Sequence, residues 1–264
     1  MSVAELRGLI YLAWLTFRRQ VFARKSVVAG VLVVMLTMAT AIWTQRVEAR
    51  SQAREVDSAL EQIDFLTNTV VVRLFVSFLL PILVLTYATA AIGEEREDRT
   101  LVYTLIRPLS RFRVYLAKAV GILPVVVLAA LGGYGMICLA GGDAGRFAWN
   151  NYWPAILLGC LAYTAVFLLF GASLPKPVIM AVVYVFLIEA LLGNMPGTIK
   201  RLAVSFYVNC IIFESAETVG VEPQQTMYGN ISAWSAMVVL ALGTAAILWL
   251  GAWWFQRREY RDLA

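Results

Sequence analysis

The sequence predicts an all-α integral membrane protein, and three of its features carry that prediction. Of its 264 residues, 61% are hydrophobic and 15% charged, against an apolar share of about 45 to 50% in an ordinary soluble domain. The apolar residues gather into uncharged runs, several of which approach the roughly 18 to 20 residues that a helix rising about 1.5 Å per residue needs to cross a hydrocarbon core of about 30 Å. The lysines and arginines concentrate in alternate connecting segments, as cytoplasmic loops of a polytopic protein do. The net charge of +5 therefore reads as membrane topology, and no nucleic-acid partner is expected. A single membrane domain spanning 1–264 follows, embedded in a lipid bilayer.

The first element is amphipathic. Leu6, Leu9, Ile10, Ala13, Trp14, Phe17 and Val21 repeat at the spacing of one helix face, and Arg18, Arg19, Arg24 and Lys25 follow. This is the pattern of a helix lying in the interface, aromatics among headgroups and cations toward anionic lipid. Six spans are expected after it, at about 26–43, 74–92, 114–140, 152–172, 178–193 and 232–255. The mixed-charge segment 45–73 suits either a helix outside the membrane or a loop. Pro81 should kink the second span, because proline removes a backbone hydrogen bond. The third span carries Gly132, Gly133 and Gly135, small residues that permit close helix approach in lipid. A short outer connection, 141–151, and a tight inner turn, 173–177, flank the fourth span. The fifth holds Glu189, the one acidic residue within a predicted span. From 194 to 230 the apolar pieces are too short to cross, so re-entrant or interfacial helices are expected before the last span.

With both termini in the cytoplasm, the inner segments hold 15 of the 22 Lys and Arg residues, as the positive-inside rule requires. The charged stretch 93–113 then faces the cytoplasm. In it Glu94, Glu95, Glu97 and Asp98 precede a short helical pattern, Thr100 to Ile106, with Leu101, Val102, Leu105 and Ile106 forming an apolar stripe. Acidic groups favour a helix N-terminus. Pro108 ends the pattern by pushing Arg107 out of the α region, and Ser110 is placed to cap the next helix.

That order of residues resembles the cytoplasmic coupling element of ABC-2 type transporter permeases. The resemblance rests on Glu94, Glu95, Thr100, Leu101, Leu105, Pro108, Arg111, Lys118 and Gly121. The six-span layout, the amphipathic first helix and the broken segment before the last span extend it along nearly the whole chain. Arg99 and Ala117 depart from it, standing where the family often has glycine. The resemblance implies a homodimer or pseudo-dimer of permeases in a bacterial cytoplasmic membrane, with a cytoplasmic ABC ATPase under each subunit. ATP-driven movement of those ATPases would be received by the coupling helix, including Arg107, and used to export a substrate. ATP and Mg²⁺ would belong to the partner, and this chain would bind no cofactor. In agreement, none of Lys25, Lys118, Lys176 and Lys200 follows a glycine, as the lysine of a P-loop must.

No catalytic or metal-binding set is expected. The chain has no histidine, which removes imidazole acid–base chemistry and His-ligated metals. Cys138, Cys160 and Cys210 stand singly in apolar stretches, as small packing residues do. Glu189 is the candidate intramembrane polar site, since a carboxylate at that depth is costly unless it is used or satisfied. It serves either as a working group of the pathway or as a tie to Lys200 or Arg201. Two other functions fit the composition: a carrier or channel using Glu189 without an ATPase, and a membrane scaffold that moves nothing. Trp249, Trp253, Trp254 and Phe255 read as interfacial anchors.

Overall fold

Backbone polar groups in lipid must be satisfied within their own segment, and every regular element among the described residues is a helix. A computed structural model of the chain describes residues 3–21, 24–51, 58–97, 110–191, 198–221 and 231–257. Helix α1 is Val3–Val21 and α2 is Arg24–Ser51. Helix α3 runs without a break through Ser58–Phe65, Leu66–Leu79 and Leu80–Glu97. Helices α4, Arg111–Ala140, and α5, Gly142–Ser173, form a hairpin. Helix α6 joins Pro177–Tyr184 to Val185–Leu191, and α7, Val204–Glu217, and α8, Ala233–Arg257, complete the chain.

Among the described residues four helices are long and apolar enough to cross a membrane: Leu60–Gly93, Arg111–Ala140, Gly142–Ser173 and Ala233–Arg257. The segments expected as the first and fifth spans appear as the shorter apolar helices Gly30–Trp43 and Pro177–Leu191. The second expected span starts earlier than Leu74, because the open stretch before it is helical from Ser58. Two stretches, Leu66–Leu79 in α3 and Val185–Leu191 in α6, are wound as π-helix. There the Leu80 N–H reaches back five residues to the Phe75 carbonyl, and the Ser77 hydroxyl donates to the Val72 carbonyl at 2.9 Å. Pro81 lies just beyond this stretch, and α3 continues through it. The two π stretches pack on each other, with Phe78 edge-on to Phe186 at 6.5 Å.

Helix α5 is the hub, packing against α3, α4, α6, α7 and α8. Tyr163 and Phe167 stack at 6.0 Å along it, and Phe167 meets Tyr184 of α6 edge-on at 5.9 Å. Gly159 brings α7 close, since a Cβ there would lie 2.8 Å from Val208. Helix α7 itself is buried round most of its circumference, from Ser205 and Phe206 to Phe213 and Ala216. It is inserted among its neighbours and does not lie along the outside of the bundle with one face free.

The expected outer loop 141–151 does not form. Gly142 adopts φ +60° and reverses the chain at once, after which Ala144, Ala148, Tyr152 and Ala155 continue the buried stripe of α5. Small residues build that stripe, so hydropathy understates it. Asp143 lies in the first turn, where the helix dipole favours a carboxylate. The reversal is so tight that a Cβ at Gly145 would overlap the Cys138 carbonyl. Gly145→Ala should therefore cost about 3 kcal/mol through forced backbone displacement, read as a lower unfolding temperature or lost folded yield. Gly132→Ala, whose Cβ would meet nothing within 4 Å, should stay within roughly 1 kcal/mol of the parent.

Candidate functional site

Thr100, Leu101, Leu105, Arg107 and Pro108 lie outside the described residues; the structure gives the two anchors of their segment. Glu94 and Glu95 fall in the last turns of α3, and Arg111 begins α4. Ser110 takes the cap position with extended backbone, but its hydroxyl makes no capping bond, and the Val114 N–H is met by the Ser110 carbonyl at 3.1 Å.

A brace joins the anchors. The Lys118 ammonium is fully buried and donates to the Ala91 carbonyl at 3.2 Å. Burying an ammonium costs several kcal/mol unless it is well partnered, so this bond across 27 residues fixes the end of α3 and the start of α4 to each other. Lys118 thus acts inside the protein and presents no charge at its surface. Three further contacts hold the same region. A Cβ at Gly93 would lie 2.7 Å from Pro177, so the end of α3 rests on the start of α6. One at Gly121 would lie 2.5 Å from the Ala13 carbonyl, so α1 lies directly on α4. Tyr115 sits over Gly251 and 5.9 Å from the Phe255 ring, which brings in α8.

Helix α1 is amphipathic as expected, but its inward line is partly polar: Leu12, Thr16 and Gln20 are buried. Ile10, Tyr11, Trp14 and Leu15 face outward, and the Arg18 guanidinium lies 5.4 Å from the Trp14 ring centre.

The second polar centre is Glu189, which is 1% exposed. Its Oε1 accepts hydrogen bonds from the Tyr184 hydroxyl at 3.1 Å and the Val204 N–H at 3.0 Å, and its Oε2 accepts from the Ser205 N–H at 3.1 Å. The first N–H groups of a helix have no intrahelical acceptor, and Ala203, at the cap of α7, offers no side-chain bond. Glu189 fills that role from another helix. The positive end of α7 compensates the carboxylate. Lys200 lies over the Phe206 ring at 5.4 Å. The π winding matters here, because Tyr184 and Glu189 are five residues apart and face each other only where the turn is widened. The device recurs one helix on: Glu214 of α7 accepts the Ala233 N–H at the start of α8.

The architecture is thus a helical bundle whose charged connection between α3 and α4 is bounded by tightly anchored helices. The model of the ABC-2 family transporter proteins matches residues 10–260. The chain belongs to this family. It is therefore a multi-pass membrane component of a transporter, and membership implies association with an ABC ATPase. No curated protein matches the chain. Sequence reading of this ABC-2 chain missed Tyr184 and the Val204 and Ser205 amides as partners of Glu189. Backbone donors carry no residue signature, and residues five apart, as Tyr184 and Glu189 are, lie on different faces of an ordinary α-helix.

Proposed function

We propose that this chain is the transmembrane subunit of an ABC-2 exporter, crossing the bacterial cytoplasmic membrane six times with both termini inside and working as a homodimer. An ABC ATPase docks beneath 93–113 and supplies ATP and Mg²⁺ chemistry that this chain lacks. The reading is carried by the family match over 10–260. The braced anchors support it: a push on 98–109 meets α3 and α4 already tied by Lys118 and backed by α1, α6 and α8, so it displaces helices instead of being absorbed in the connection. Glu94, Glu95, Thr100, Leu101, Leu105, Arg107, Pro108 and Arg111 form the receiving surface, and Lys118 the brace behind it. Glu189 holds the wall of the pathway together.

Affinity purification of the tagged chain from its native membrane tests this. A P-loop ATPase should co-purify, and the pair should hydrolyse ATP. Transport by the purified chain alone, driven by an ion gradient, would point to a secondary carrier.

A further inference from the structure

At the end of α4 away from Arg111, the α4–α5 hairpin carries an open groove of about 590 Å³. Glycine keeps it open. A Cβ at Gly132 would meet nothing within 4 Å, and at Gly135 one would lie 3.2 Å from the Trp149 indole, which leans over α4. Leu139, 85% exposed, and Met136 form its apolar edge. Arg146 and Asn150 make its far end polar.

The arrangement matches the polarity profile of a membrane lipid. Arg146, Trp149, Asn150 and Trp153 recur at the spacing of one face of α5, and both tryptophans are exposed, as at the level of lipid headgroups. The groove therefore runs from headgroup level, where a cation waits, into the apolar belt. Arg146 is paired with Asp143 at 3.2 Å, but both side chains are almost fully exposed, 85% and 95%. Such a pair contributes little, and a guanidinium has five donors, enough to share with phosphate oxygens.

We infer that this groove binds one phospholipid, its acyl chain laid over Gly132 and Gly135 and its phosphodiester met by Arg146 and Asn150. The site is independent of ATPase coupling. Its role is to fill the gap that the glycines leave between α4 and α5.

Native mass spectrometry of the full chain tests it, after reconstitution in vesicles of phosphatidylglycerol and phosphatidylcholine. The parent should retain one lipid per chain, phosphatidylglycerol preferentially. Gly132→Trp, which fills the groove, should lower retention of both lipids by about tenfold, the equivalent of about 1.4 kcal/mol. Arg146→Gln should lower phosphatidylglycerol retention by roughly tenfold, as loss of a charge-assisted bond does, and phosphatidylcholine retention less. Gly132→Leu serves as a second variant if the tryptophan prevents folding. Retention unchanged in the groove-filling variants overturns the site. So does a Gly132→Trp chain that keeps its lipid but loses oligomeric mass, which would make the groove a contact between copies.

Discussion

Glu189→Ala is expected to lower the unfolding temperature of the solubilised protein by about 5 to 10 °C, from a loss of roughly 3 kcal/mol. The cause lies in three donors, one buried and two half-buried, whose described acceptor is this carboxylate: the Ser205 amide, and the Tyr184 hydroxyl and Val204 amide. Alanine removes the acceptor and leaves them unsatisfied at a site largely shielded from water, where a fully buried unsatisfied group costs about 1 to 3 kcal/mol before relaxation. Glu189→Gln separates this account from a working role in the pathway. It keeps one acceptor oxygen but sets an NH₂ against a remaining donor, so about half of the loss should persist, while transport at permissive temperature continues. An unaltered unfolding temperature with transport lost would instead make Glu189 a coupling group, as the carrier reading holds.

The second large effect is expected at the charged segment between α3 and α4. Leu105→Asp places a charge in the apolar stripe expected to pack on the ATPase, and the double reversal Glu94→Lys, Glu95→Lys inverts the charge at its entry. Both should abolish transport-linked ATP hydrolysis, because truncating or reversing a buried contact at an interface costs about 2 kcal/mol or more. Membrane insertion should be unaffected, since the substitutions fall outside the apolar windows of α3 and α4.

Much of this fold was legible because lipid imposes long uncharged runs: α4 and α8 begin and end within a few residues of the expected spans. The start of the hub helix was read ten residues too late, because Asp143, Arg146, Asn150 and Asn151 in its first turns mask the buried stripe of Ala144 and Ala148 in a hydropathy reading. The π stretches of α3 and α6 have no residue signature, so the encounter of Tyr184 with Glu189 could not be read. The identity of Glu189 as the carboxylate to explain was legible; its partners were not, being main-chain amides 15 and 16 residues on. Lys118 was read as a cation of the coupling element, and its burial against Ala91 was hidden because only the packing of α3 on α4 determines which way the ammonium points.

The coupling claim is tested most directly by the ATP hydrolysis rate of the co-purified complex in lipid nanodiscs, with the parent chain and with the Glu94→Lys, Glu95→Lys variant. The account predicts a rate lowered by about tenfold or more in the variant, as loss of at least 1.4 kcal/mol of coupling requires, with equal amounts of inserted permease. Equal rates from the two complexes would contradict it.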